Sequence, residues 1–314
     1  MKKRISDQVF IKTWQRYGSP AEVSKALGID VRGVYKRRAA LEAKGVDLST
    51  VSKMAGKYAS QLGFEKRREV SIDNGVVLIG SDAHFWPGEP SLAFQGFLAL
   101  CKELNPKLVI LNGDILDAPT VTRHEPPGYR YQPTLKEEIE VLQDRLDAIV
   151  KAAPNSQYLR TLGNHDIRFE RHLAVHAPQY AGIPGTSLSD HIPGWPCSWT
   201  ILLNGHTMVR HRHVAGGIHS GYQSTLRAGM SYVHGHLHKL QVTALSDYNG
   251  TRFGVDCGTL ADPDADEAFD YVEDAPHGWR SGFAVLTFRN GRLMWPEVCY
   301  VDRGEAIYRD QVVA

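Results

Sequence analysis

The chain has 314 residues, 42% hydrophobic and 23% charged, as expected of a soluble protein with one large domain and one small one. Its net charge of +1 hides an asymmetry: residues 1–69 hold 16 basic and 7 acidic side chains, and the remainder 20 and 28. No apolar run reaches membrane-spanning length, no signal-like apolar core follows Met1-Lys2-Lys3-Arg4, and the four scattered cysteines lack metal-finger spacing, so a cytoplasmic protein without structural sulfur–zinc sites is expected.

Residues 5–45 read as helices. Val9, Phe10, Trp14 and Tyr17 recur at spacings that suit one helical face. Ser19-Pro20-Ala21-Glu22 starts a second helix: Ser19 can cap it, Pro20 suits its first turn, and Glu22 can close a capping box. That helix ends at Gly28; Asp30 can cap a third, from Val31 to about Lys44, closed by Gly45. Ala26, Leu27, Ile29, Val34 and Leu41 are the expected core. A short helix, a glycine turn and a basic second helix form a helix-turn-helix pattern. The stretch from Val23 to Arg37 resembles the helix-turn-helix of bacterial and phage DNA-binding proteins. That resemblance makes Arg32, Tyr35, Lys36, Arg37 and Arg38 candidates for base or phosphate contacts. The basic excess fits the same partner, DNA or RNA. The expected organisation is a head over 1–48, a polar connector over 49–69 and a body over 70–314.

In the body, strands at Val76–Gly80, Lys107–Leu111 and Gln157–Leu162 alternate with helices at Ser91–Leu104 and Leu135–Ala152. Such alternation predicts an α/β layer fold. Asn-Gly pairs at 74–75, 204–205, 249–250 and 290–291 read as hairpin turns. Beyond residue 195 the chain is mostly strand.

Three apolar runs lead directly into polar clusters: Ser81-Asp82-Ala83-His84, Asn112-Gly113-Asp114 and Gly163-Asn164-His165-Asp166. A fourth cluster is His234-Gly235-His236-Leu237-His238, and no histidine precedes residue 84. In α/β folds ligands gather beyond the carboxyl ends of strands, so these clusters can converge. Asp, Asn and His together suit a pair of divalent cations, the usual machinery for cutting phosphate esters.

The ordered series Asp82-x-His84, Gly113-Asp114, Gly163-Asn164-His165-Asp166, a histidine near 211 and Gly235-His236-x-His238 resembles the calcineurin-like metallophosphoesterases. Gly254–Leu260 looks like that family's C-terminal strand and turn. The resemblance implies a four-layer αββα sandwich for the body, which follows the small all-α head. It also implies that Asp82, His84 and His238 hold one metal and Asn164, His211 and His236 the other, with Asp114 bridging. His165 would act on the substrate and Asp166 would orient its ring. The tract Arg210-His211-Arg212-His213 offers two histidines where the family has one, and His211 is favoured. Arg123, His124 and Arg168 are candidate substrate contacts. Asp117 could support a ligand or cap a turn.

A metal-dependent phosphoester hydrolase follows, with manganese first among the cations and iron, zinc or cobalt also compatible. The second motif lacks the Arg-Gly of Ser/Thr protein phosphatases. With the basic head, that favours a phosphodiesterase or nuclease acting on nucleic acid. The alternatives are a small-molecule nucleotide phosphodiesterase and a DNA-binding regulator with a weakly active body.

Overall fold

The computed structural model describes residues 5–17, 20–46, 48, 64–122, 131–263 and 278–314. The chain divides into two compact units, residues 1–63 with 182–184, and the remainder.

The first unit contains helices α1 (Asp7–Tyr17), α2 (Pro20–Leu27) and α3 (Val31–Glu42). Its core is Phe10, Trp14, Val23, Val34, Leu41 and Leu48, with Leu27 and Ile29 partly buried. The apolar face of α1 is narrower than expected: Val9 is 48% and Tyr17 42% exposed. Ala26 is exposed as well, and Val23 fills the core in its place. Gly28 and Gly45 end their helices at φ +64° and +82°, where a Cβ would strain the backbone. Asp30 stands at the N-cap of α3, but its side chain makes no capping hydrogen bond. Ser19 lies outside the described residues, and so does the side chain of Glu22.

The second unit carries fifteen strands among the described residues. In chain order they are β1 (Arg68–Val70), β2 (Gly75–Gly80), β3 (Leu108–Asn112), β4 (Gln157–Thr161), β5 (Cys197–Ser198), β6 (Ile201–Leu203), β7 (Thr207–Val209) and β8 (Ser231–His234). There follow β9 (Leu240–Asp247), β10 (Gly250–Cys257), β11 (Gly282–Arg289), β12 (Arg292–Leu293), β13 (Glu297–Asp302), β14 (Glu305–Tyr308) and β15 (Gln311–Val312). One sheet runs β15-β14-β13-β11-β2-β3-β4-β5, with β12 paired to β11; the other runs β1-β6-β7-β8-β10-β9. Strands β2 to β5 are parallel, as are β7, β8 and β10.

Period-two alternation assigns each strand face. Val77 and Ile79 of β2, with Leu108 and Ile110 of β3, pack against Ile201, Leu203, Val233 and Val255 of the other sheet. Leu78, Val109 and Leu111 point the opposite way, onto α4 (Leu92–Leu104) and α5 (Leu135–Ala152). Their starts are capped: Ser91, read as the first helical residue, is instead the N-cap of α4, and Thr134 with Glu137 forms a capping box on α5. Beyond them come α6 (Arg168–His176), the short α7 (Leu188–His191) and α8 (Ser220–Ala228). The last lies on β8, β9 and β10, completing a helix–sheet–sheet–helix stack.

Two expectations fail here. Asn74-Gly75 is not a hairpin turn, because β1 joins one sheet and β2 the other. The other three Asn-Gly pairs do close hairpins, at β6–β7, β9–β10 and β11–β12. The connector is also shorter than 49–69, since Glu65 bridges Ser198 and Arg68–Val70 pairs with Ile201–Leu203.

Helix α8 approaches β10 through two facing glycines: a Cβ on Gly254 would lie 2.2 Å from the Gly221 carbonyl oxygen. Replacing Gly254 by Ala must lift the helix off the sheet. A loss of about 1–3 kcal/mol in denaturant unfolding is expected, as for other overpacked cores. An unchanged midpoint would show that the helix yields freely.

Candidate metal centre

Five loops meet at the carboxyl ends of β2, β3, β4, β7 and β8. Backbone bonds tie them together: Asp82 N–H to the Gly113 carbonyl and His84 N–H to the Asp114 carbonyl, each 3.0 Å, and Gly235 N–H to the His211 carbonyl, also 3.0 Å. The Thr259 hydroxyl donates to the Asp82 carbonyl at 2.6 Å. Asp82, His84, Asp114, His236 and His238 all adopt left-handed backbone, with φ between 38° and 69°. For non-glycine residues this costs about 1–2 kcal/mol each. Strain of that kind gathers at functional sites, where surrounding bonds over-determine the chain. The motif glycines make room for it. A Cβ on Gly163 would sit 2.0 Å from an Asp114 carboxylate oxygen, and one on Gly235 would sit 2.3 Å from Asp82 Oδ2.

The side chains form overlapping groups whose ligand atoms all lie within 4.8 Å of one another: Asp82, His84 and His238; His84, Asp114 and His165; Asp114, His211 and His236. Asp114 thus borders His84 on one side and His211 with His236 on the other. His238 Nε2 is 3.1 Å from Asp82 Oδ1, and His211 Nε2 is 3.0 Å from Asp114 Oδ2. Asn164 Oδ1 reaches His211 Nε2 at 3.2 Å. His211 Nδ1 faces the Asn112 carbonyl at 2.8 Å, which fixes the tautomer and leaves Nε2 for the cluster. His213 joins none of these groups; its ring stacks on His236 at 5.7 Å. The arrangement therefore brings in His211 and leaves His213 outside the groups.

Electrostatics in this pocket are severe. Burial alone would raise the Asp82 carboxyl, but His211 and His238 pull it down to about 2. Burial is outweighed at Asp114 too, where His211 and His165 hold the carboxyl well below the usual range. Burial opposes a charged His211, yet Asp114 and Asp82 push its imidazole up to about 10. His236 is lowered to about 4, by burial and then by His211. Oxygen and imidazole donors packed this closely, with two buried carboxylates among them, fit a pair of divalent cations.

One expected role moves. Asp166 does not orient His165. It is fully buried, and its carboxylate accepts backbone N–H groups from Gly163 at 2.8 Å, Asp114 at 3.1 Å and Ile115 at 2.9 Å. It is a structural bracket joining the second and third motif loops. Asp117 orients His165 instead: its Oδ1 lies 2.6 Å from His165 Nδ1 and 3.1 Å from His84 Nδ1. The two imidazoles hold the Asp117 carboxyl well down despite burial. Arg168 donates to the Asp117 carbonyl at 2.7 Å and lies 3.0 Å from His165 Nε2, so it borders the centre.

Behind Asp117 stands Glu138 of α5, a residue the sequence reading missed. It is fully buried and accepts the Ala118 N–H at 2.9 Å. A carboxyl on a helix core position was its only signal.

Arg123 and His124 lie outside the described residues. In the head, Arg37 donates to Asp7 and to the Ile5 carbonyl and lies over Phe10. Arg38 pairs with Glu42 and lies over Trp14. Both arginines brace the helices. Arg32, Tyr35 and Lys36 are exposed on α3, at spacings that place them on one face.

No family model and no curated protein matches this chain. Solved structures with a similar course include Vps29 of Chaetomium thermophilum, at 10% identity and TM-score 0.35, covering 74% of this chain and 94% of that one. A dimetal phosphatase from Danio rerio shows 8% identity and TM-score 0.37, covering 72% and 99%. The protein TT1561 of Thermus thermophilus shows 11% identity and TM-score 0.31, covering 70% and 97%.

Burial, with Asp117 nearby, raises the Glu138 carboxyl to about 8, so the folded chain keeps a proton there that the unfolded chain releases at ordinary carboxyl pKa. A raised acid contributes stability that is complete below the unfolded value and lost as pH climbs through the folded one. Glu138→Gln should therefore gain stability relative to the parent as pH rises from 5 to 8.5, measured by urea unfolding. A pH-independent difference would contradict a buried, protonated Glu138.

Proposed function

We propose that this protein hydrolyses phosphodiester bonds of nucleic acid with two divalent cations. The observation that supports this most is Asp114, a buried carboxylate set between Asp82–His84–His238 and His211–His236. In this reading Asp82, His84 and His238 hold one cation, Asn164, His211 and His236 the other, and Asp114 serves both. Bound there, such cations supply Lewis acidity at phosphorus and lower the pKa of water.

The chain's own residues do the rest. Water adds at phosphorus, the ester bond breaks, and the leaving oxygen takes a proton. His165 carries that proton on Nε2, since Asp117 fixes its Nδ1. Arg168, whose guanidinium lies 3.0 Å from Nε2, turns to the phosphate oxygens when substrate binds. The head delivers the substrate, using the exposed Arg32, Tyr35 and Lys36.

With manganese-loaded protein and bis-p-nitrophenyl phosphate, Asp114→Asn should lose at least about a thousandfold in turnover and part of its metal. His165→Ala should lose about a hundredfold with metal content intact. Near-normal turnover of Asp114→Asn with two metals per chain would overturn the dinuclear assignment. Metal must displace the His211 proton, which is held up to about 10. Metal affinity should therefore climb with pH between 6 and 9 and its binding should release protons, both read by calorimetry in buffers of different ionisation heat.

Arg32→Ala with Lys36→Ala should weaken duplex binding, and flatten its salt dependence, without changing small-substrate turnover. Unaltered mobility shifts would remove the head from substrate delivery.

A further inference from the structure

A trough of about 400 Å3 opens beside Asn164. One wall is α6. Positions 168, 171, 172, 175 and 176 recur at intervals of three and four, so Arg168, Arg171, His172 and His176 form a single stripe along the helix. Arg212, adjacent to His211 in sequence, adds another guanidinium. Among the described residues no carboxylate lines the trough, and neither Arg171 nor Arg212 is held in an ion pair. Arg168 is committed to Asp117 and His165; the other two arginines have no such duty.

The chemistry of the wall calls for an anion. Guanidinium groups present forked donors that match phosphate oxygens. The geometry calls for an extended anion. From Arg168 to His176 the helix rises about 12 Å, and Arg171 with His172 stands about one turn beyond Arg168. A diphosphate would keep its second phosphate within the first turn. Val121 and Val175, which also line the trough, offer an apolar surface for a sugar or base between two charged groups.

We propose that this trough binds a second phosphate of the substrate, one nucleotide removed from the bond that is cut. The favoured substrate is then a strand with consecutive phosphates, and an isolated diester is a poor one. This rests on the hydrolase reading above and gives that reading its substrate class.

The test compares the dinucleotide TpT with its end-phosphorylated forms pTpT and TpTp, using full-length, manganese-loaded protein. One of the two phosphorylated forms should exceed TpT by about tenfold in kcat/KM, the scale of one charge-assisted contact. In Arg171→Ala with Arg212→Ala the advantage should shrink to about twofold or less, with bis-p-nitrophenyl phosphate turnover and metal content unchanged. Arg171→Lys, which keeps the charge and loses the fork, should fall between. Equal rates on all three dinucleotides, or a preference that survives the double substitution, would overturn the proposal. If the parent protein hydrolyses no diester at all, the hydrolase reading fails by itself. Calorimetric binding of pTpT and TpTp then decides the trough: about tenfold weaker binding by the double variant supports it, and equal affinity overturns it.

Discussion

Burying Asp82 and Asp114 side by side is the constraint around which the second unit is organised. Each is all but inaccessible, and carboxylates cannot stay ionised in such a place without compensation. The compensation comes from every direction: His238 and His211 at about 3 Å, the His236 and His165 backbone N–H groups on the carboxylate oxygens, and the Ser81 hydroxyl on Asp82. A constellation so rich in imidazole and carboxylate has a donor set that suits divalent cations.

Holding those groups at strand ends dictates the backbone. Parallel strands deliver their carboxyl ends to one edge, but a side chain just past such an end needs an abrupt change of direction to turn inward. The left-handed residues at 82, 84, 114, 236 and 238 make that turn. Gly163 and Gly235 leave the space into which the turned carboxylates fit. Strain and close packing are thus two aspects of one requirement, met by cross-loop hydrogen bonds that the flanking sheets keep in register.

Much of this could be read from the sequence, because the signals were local or ordered. Apolar runs of strand length ending in Asp, Asn or His marked the loops, and helical spacing marked Leu135–Ala152. Parts that depend on reach across the fold could not be read. Asp166, the next residue in the motif, reads as the partner of His165; the Gly163 turn directs it inward onto backbone N–H groups and leaves Asp117, 48 positions earlier, beside the ring. Asn74-Gly75 carries the same dipeptide as three true hairpins, yet its flanking strands belong to different sheets. In α1, Val9 and Tyr17 fit the helical period but fall outside the narrow contact made by Phe10 and Trp14.

The spread of the site along the chain sets when it can exist. Asp82 is gripped by residues 154 and 177 positions downstream, His236 and Thr259. A growing polypeptide that has emerged only as far as Asp166, past β4, contains three of the five loops and can close none of the bonds made by the other two. Contacts between residues so far apart form late, because ordering the intervening chain must come first. The buried carboxylate pair therefore has its full set of partners only once both sheets have assembled.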